Sequence, residues 1–247
     1  MNLDGVKTIG RWRSERLGRE VTLVRWGSFG QPVLVFPTAG GDAEEIERMH
    51  LVGALGPLID AGKIKVYSCD SVAGRAWVEG GGSDRHRAWV QNQFHQFVYH
   101  ELVPGIRNDC RTAEIGVIAA GASIGAFNAL AVTCRFPDAF TKALCLSGTY
   151  DLTRFLDNGG MPQDFYFSSP VHFLPGLEGA ALNVLKTRFV LFASGQGRAE
   201  DIGESWRAAD VLGKKGVPNR VDAWGEEWPH DWPTWRNMLP KYLGELA

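Results

Sequence analysis

The residues with the clearest capacity for chemistry are Gly121-Ala122-Ser123-Ile124-Gly125, which separate an apolar run (EIGVIAA) from a helical one (AFNALAVTC). A serine at a sharp strand-to-helix reversal can act as a nucleophile. The turn strains its backbone and lifts Oγ clear of the sheet, and a side chain at 121 or 125 would strike neighbouring backbone. The helix beginning at Ile124 adds partial positive charge where an oxyanion would form. The plainer alternative is a serine capping a helix beside two close-packed glycines.

A serine hydroxyl is a poor nucleophile until a base takes its proton. Six histidines compete for that role. His86, His95 and His100 fall in or beside a long helical period, and His50 in the helical period after Phe36. His172 and His230 fall in loops, and His230 follows the last extended run and opens the C-terminal helix. An acid that orients the base would follow the extended run Phe189–Ala193. Glu200 and Asp201 are both candidates there, with Glu204 more distant. Asp231 adjoins His230, and adjacent side chains usually diverge. The acid's task is to hold the imidazole tautomer and stabilise the imidazolium.

These residues need elements to hold them. Arg11–Arg13 and Val21–Trp26 read as paired strands across the turn Arg16-Leu17-Gly18. Pro32–Phe36, Ile64–Cys69, Glu114–Ala120, Ala143–Ser147, Phe189–Ala193 and Arg220–Trp224 read as further strands. Helical periods run over Ala43–Ala61, Asp84–Arg107 with a kink expected at Pro104, Ile124–Arg135, Glu204–Lys214 and the C-terminal segment from Trp232 to Tyr242. Such alternation predicts an α/β fold: about eight strands, mostly parallel, covered by helices on both faces, in a single domain over 1–247. Ligand sites in these sheets form beyond the carboxyl ends of the strands, so the loops after Phe36, Ala120, Ser147, Ala193 and Trp224 should line any site. About forty residues between Ser147 and Thr187 carry Phe155, Phe165, Tyr166, Phe167 and Phe173. They are too few for a large lid but enough to roof one side of the site.

Composition excludes several classes. The 247 residues carry 26 Lys and Arg against 28 Asp and Glu, a net charge of −2, which leaves no basic excess for nucleic acid. Arg11, Arg13, Arg16 and Arg19 read as a solvated hairpin. Gly and Pro number 30 and 12, too few for a low-complexity chain. The four cysteines lack metal-binding spacing and read as free thiols, and no metal or cofactor is expected. The start, MNLDGVKTIG, lacks the apolar core of a secretion signal, so a cytoplasmic protein is expected. Ile115–Cys134 is uncharged and long enough for a membrane span, but its glycines, Ser123, Asn128 and Thr133 argue against one.

With these residues placed, the chain resembles the esterase family of the α/β-hydrolase fold that includes S-formylglutathione hydrolases, feruloyl and acetylxylan-type esterases, enterochelin esterases and mycolyltransferases. The resemblance rests on VLVFPTAGGD (33–42), ELVPGIR (101–107), GASIGAFNA (121–129), LSGTYD (146–151), SGQGRAE (194–200) and HDWPTW (230–235), and spans about Trp12 to Tyr242. It implies Ser123 as nucleophile and His230 as base, in the chain order serine, acid, histidine. It implies Glu200 as acid, with Asp201 the rival. The oxyanion donors it implies are the backbone N–H groups of Ile124 and Ala39, with Gly40 the rival for the second. Pro37-Thr38 departs from the residues usual at that loop.

The expected reaction is hydrolysis of a small-molecule carboxylic ester through a serine ester, with short or aromatic acyl groups favoured. Trp228 or Trp232 would border the pocket, although Trp232 and Trp235 could simply pack the last helix. Two other readings are an acyltransferase of the mycolyltransferase type and a non-catalytic binding module on a hydrolase scaffold.

Overall fold

A computed structural model describes residues 7–79, 82–157 and 160–247. The first six residues of the start segment, and of the expected 1–247 domain, lie outside it. So do residues 158–159 of the aromatic segment. The strands are β1 (Lys7–Arg13), β2 (Glu20–Trp26), β3 (Gln31–Phe36), β4 (Ile64–Cys69), β5 (Val117–Ala122), β6 (Phe140–Leu146), β7 (Phe189–Ser194) and β8 (Asn219–Ala223). The main helices are α1 (Glu45–Arg48), α2 (Leu51–Asp60), α3 (Val72–Val78), α4 (Asp84–Phe97), α5 (Val103–Asp109), α6 (Ile124–Arg135), α7 (Gln163–Ser168), α8 (Pro170–Phe173), α9 (Gly179–Leu185), α10 (Ile202–Lys214) and α11 (Trp232–Leu246).

The strands form one sheet in the order β1-β2-β4-β3-β5-β6-β7-β8. From β4 to β8 neighbours are parallel, while β1 and β2 form the antiparallel end. Alternate residues of each strand face opposite layers. Leu34, Phe36, Ala119, Cys145, Val190 and Phe192 pack towards α4, α6 and α10. Val33, Val35, Ile118, Ala120, Leu144 and Leu191 pack towards α2 and α11. Every residue of β4 and β5 is buried, as a parallel strand covered on both faces requires. The chain passes from β3 to β4 on one side and then to β5 on the other, so a crevice opens where β3 and β5 end. Ile115–Cys134 is divided between β5 and α6, and among the described residues no helix is long and apolar enough to cross a membrane.

Several elements differ from the sequence reading, among them α7, α8 and α9 in the segment between Ser147 and Thr187 and the start of β1 at Lys7. The helical period Ala43–Ala61 is broken: His50 takes a left-handed conformation (φ 62°) between α1 and α2. α1 buries only Ile46 whereas α2 buries Leu51, Val52, Leu55 and Ile59, and the break lets each segment set its own buried side. The long helix Asp84–Arg107 is three pieces. A wide π-turn at Val98–Leu102 precedes Pro104, which sits in the first turn of α5 where its missing N–H costs least. The short helix α3, which the sequence reading left out, follows β4.

A buried polar cluster joins α4 to α6. Arg135 Nη1 lies 3.0 Å from His95 Nδ1, and His95 Nε2 lies 3.1 Å from Asn128 Oδ1. Gln91 Nε2, whose amide oxygen accepts from Trp77 Nε1 at 3.0 Å, lies 2.7 Å from His95 Nε2, so donors meet the ring at both nitrogens. Burial, with the Arg135 charge adding to it, pushes the His95 pKa well below its ordinary value of 6.5. The unfolded chain therefore binds a proton that the folded chain refuses, and folding stability falls as pH drops below about 6.5. His172 is shifted in the same direction, mainly by burial. The melting temperature should fall between pH 7.5 and pH 5, and His95→Gln, which cannot titrate, should lose part of that fall. An unchanged pH dependence in the variant would refute the assignment.

Candidate active site

Ser123 joins β5 to α6 with φ 58° and ψ −124°, a strained conformation for a residue with a side chain. Its N–H donates to the Leu146 carbonyl at 3.0 Å, which ties the turn to the end of β6. A Cβ at position 121 would strike the Gly125 backbone, and one at 125 would strike the Phe36 carbonyl. Gly121 is therefore set by the close approach of α6 to β5, and Gly125 by that of α6 to the end of β3.

Ile124 opens α6, and its N–H has no intrahelical partner. The Ile124, Ala39 and Gly40 N–H groups donate no hydrogen bond within the described residues. The loop holding Ala39 is fixed from below: Glu45 of α1 accepts from Thr38 N–H at 2.8 Å and from Thr38 Oγ1 at 2.6 Å. Ala39 also packs against Gly74 of α3, where a Cβ would lie 2.8 Å from the Ala39 carbonyl oxygen.

Glu200 and His230 are brought together. The loop after β7 and the loop after β8 are joined by backbone hydrogen bonds: Gln196 N–H to Gly225, Gly197 N–H to Trp228 and His230 N–H to Arg198, at 3.0–3.2 Å. Gly195 and Gly197 permit this, since a Cβ on either would collide with the backbone at Glu226–Trp228. His230 Nδ1 lies 3.6 Å from Glu200 Oε2, with the Glu200 side chain 1% exposed and that of His230 25% exposed. The carboxylate has two further donors. Ser147 Oγ, at the end of β6, donates to Oε1 at 2.6 Å, and Ser194 Oγ, at the end of β7, lies 3.1 Å from Oε2. Trp235 of α11 donates from Nε1 to Ser147 Oγ at 3.0 Å. The His230 ring stands edge-to-face on the same indole, with centroids 5.1 Å apart.

The rival assignments fall elsewhere. Asp201 has a side chain 65% exposed and caps α10 by accepting from Gly203 N–H at 2.9 Å. Glu204 accepts from the Tyr150 and Asp151 N–H groups at 2.7 and 3.1 Å. Asp231 caps α11. His172 is bound through Nδ1 to Ser169 Oγ at 2.8 Å on the α8 side of the molecule. His50 stands at the helix break, not within a helix. Ser123 Oγ and His230 Nε2 are not hydrogen-bonded within the described residues. Ser123 and Ser147 do follow directly on the paired strand ends Ala122 and Leu146, and Ser147 shares Trp235 with the His230 ring.

The aromatic segment after β6 only partly roofs the site. Phe165 and Phe173 turn into the core, Phe165 edge-to-face on Trp77, whereas Tyr166 and Phe167 are exposed. Leu152 and Leu156 reach the cluster around Ile124. Trp232 and Trp235 are buried against each other and pack α11, while Trp228 stacks edge-to-face on Trp224. Trp232 also lines an apolar cavity of about 10 Å³ with Thr38 and Ala122, the residues next to Ala39 and Ser123.

Ser147, Ser194, Thr38 and Glu45 went unassigned in the sequence. The topological rule that strand ends line the site could have marked the two serines. Glu45 had no such signal, because its role depends on where α1 begins.

The sheet order, the two helix layers and the strained serine after β5 define an α/β-hydrolase. The family model described as "Putative esterase" matches residues 43–246, and the chain belongs to that family: it is a carboxylic ester hydrolase. No curated protein matches the sequence. Among solved structures, the chain is similar to a ferulic acid esterase with a TM-score of 0.74 and 16% identity, over 96% of each chain. It is similar to an S-formylglutathione hydrolase from Agrobacterium tumefaciens with a TM-score of 0.69 and 11% identity, over 97% of this chain and 93% of that one. It is also similar to MPT51 (FbpC1) of Mycobacterium tuberculosis with a TM-score of 0.68 and 17% identity, over 96% and 97%. At these identities the likeness is one of fold.

Packing at Gly195 gives a test. Gly195→Ala should force the two loops apart, lower stability by about 1–3 kcal/mol through overpacking and reduce ester hydrolysis more than the stability loss explains. Asp201→Ala should cost only about 1 kcal/mol, as loss of a helix cap. Thermal melts and initial rates on a soluble ester measure both, and equal activity losses in the two variants would contradict this account.

Proposed function

We propose that the chain hydrolyses esters with Ser123 as nucleophile, His230 as general base and Glu200 as the acid that orients it. The observation that carries this reading is the buried Glu200 carboxylate facing His230 Nδ1 at 3.6 Å, on a loop sewn to the one that bears the histidine. With Nδ1 turned to the acid, Nε2 is the nitrogen left to take the Ser123 proton. A nucleophile–base contact is often long without substrate and tightens in the complex.

In this reading Ser123 Oγ attacks the ester carbonyl carbon as its proton passes to His230 Nε2. The oxyanion rests on the Ile124 and Ala39 N–H groups, each such donor being worth ~10²–10³ in rate. The C–O bond to the alcohol breaks, and the leaving oxygen takes the proton from His230. Water then attacks the serine ester as it loses a proton to His230, the acyl–Oγ bond breaks, and Ser123 Oγ takes that proton back as the acid leaves. The void beside Thr38 and Ala122, about 10 Å³, has no room for an acyl chain, which supports a short acyl group held in the open crevice. Phe155, exposed and with its ring centroid 6.4 Å from that of Trp77, whose cluster includes Ile124, supports an aromatic acyl group.

Ser123→Ala should lower kcat by about 10³-fold or more and abolish labelling by a fluorophosphonate. Glu200→Gln should impair hydrolysis far more than Asp201→Asn, and the reverse order would move the acid to Asp201. Across p-nitrophenyl esters of increasing chain length, rates should peak at short acyl groups. A preference for long chains would reject the pocket assignment.

A further inference from the structure

We propose that Trp235 and Ser147 form a positioning relay that aims a fixed hydrogen bond at Glu200 and so sets how strongly Glu200 holds the His230 imidazolium. The proposal rests on the triad reading above and adds residues to it that do not touch substrate.

The direction of each hydrogen bond follows from its donors. The Trp235 indole N–H can only donate, so at 3.0 Å it occupies a lone pair of Ser147 Oγ. The hydroxyl proton of Ser147 is thereby turned away from Trp235, and its acceptor is Glu200 Oε1 at 2.6 Å. Ser194 is less committed, since its Oγ has one proton to give and lies 3.1 Å from both Glu200 Oε2 and the Gly195 carbonyl oxygen. Oε1 is therefore held by a directed donor, which leaves Oε2 facing His230 Nδ1.

The burial of these groups makes the relay matter. Ser147 and Trp235 are 3% and 4% exposed, so water does not compete for the hydrogen bonds. Ser147 also sits at φ 46°, a left-handed conformation unusual for a residue with a side chain. Its N–H donates to the Ala193 carbonyl at 2.7 Å, which pins the strained residue between β6 and β7. Trp235 acts twice, because its ring also packs perpendicular to the His230 ring, with centroids 5.1 Å apart. One residue thus fixes both the imidazole plane and the proton on the neighbouring hydroxyl.

A directed donor on Oε1 withdraws charge that would otherwise stabilise the imidazolium. Removing it should let His230 hold its proton to higher pH and should misalign the base in the transition state. The test is a double-mutant cycle of Trp235→Phe, Ser147→Ala and the pair, with kcat, KM and the pH profile of kcat/KM measured on one soluble ester. Trp235→Phe keeps an aromatic ring under His230 and deletes only the N–H.

Each single variant should lose about 10-fold in kcat, the worth of a hydrogen bond to a charged group, with KM changed less than twofold. The acid limb of the profile should move to higher pH. The pair should lose no more than Ser147→Ala alone, because Trp235 N–H acts through Ser147. Losses that multiply, or an acid limb that stays in place, would overturn the relay. If Ser147→Ala does not fold, Ser147→Gly accepts the left-handed backbone and replaces it. Glu200→Gln and Ser123→Ala in the same assay separate the two levels: full activity in either defeats the triad itself, whereas inactive Glu200→Gln and Ser123→Ala alongside wild-type single variants defeat only the relay.

Discussion

A carboxylate withdrawn from water is tolerated only where its oxygens are met by donors, and that constraint organises this molecule around Glu200. The groups around it come from three separate strand ends: the Ser147 hydroxyl after β6 and the Ser194 hydroxyl of β7 are within hydrogen-bond reach, and His230 beyond β8 faces it at 3.6 Å. No two of them are close in sequence. They meet only because neighbouring parallel strands end together and because Gly195 and Gly197 let two loops share backbone hydrogen bonds. The sheet therefore sets the distances, and the loops set the angles.

The other half of the site obeys a different constraint. Ser123 and Ile124 are placed by how closely α6 approaches β5 and the end of β3, which depends on the absence of a side chain at 121 for the first and at 125 for the second. The facing loop is held by Glu45, whose carboxylate accepts both the N–H and the hydroxyl of Thr38. Its placement is electrostatic where that of the serine turn is steric. A family of this fold can thus alter one side of the crevice while keeping the other, which fits the departure at Pro37-Thr38.

Much of this was legible in the chain. Ile64–Cys69 and Ile124–Arg135 are bounded in the structure as in the sequence, because each is a dense apolar run with clear punctuation. The strands after Ala120 and Ala193 run one or two residues further than expected, since small residues such as Gly121 and Ser194 continue the ladder without a β-propensity signal. The break at His50 was hidden because nothing local in the sequence demands a left-handed histidine. The division of the long helix was half visible: Pro104 marks a disturbance, but the wide turn lies upstream, where Glu101 receives Trp12, Ser14 and the Arg16 N–H. At the site, the nucleophile, acid and base could be nominated from order and type. The serines beside Glu200 could not, because their importance lies in a convergence that only the fold creates.

The sheet is open, and among the described residues neither outer strand, β1 nor β8, has a strand paired on its outer side. On β1 the exposed run includes Arg11 and Arg13, and on β8 Arg220 is paired with Asp222 at 2.9 Å and with Glu245 at 3.2 Å. A strand from another molecule could extend either border only by stripping water from these charges. The arginine-rich hairpin that first suggested a solvated surface thus has a colloidal consequence: it opposes edge-to-edge stacking of the sheet into aggregates, at the border of the sheet and several strands away from β5 and β7.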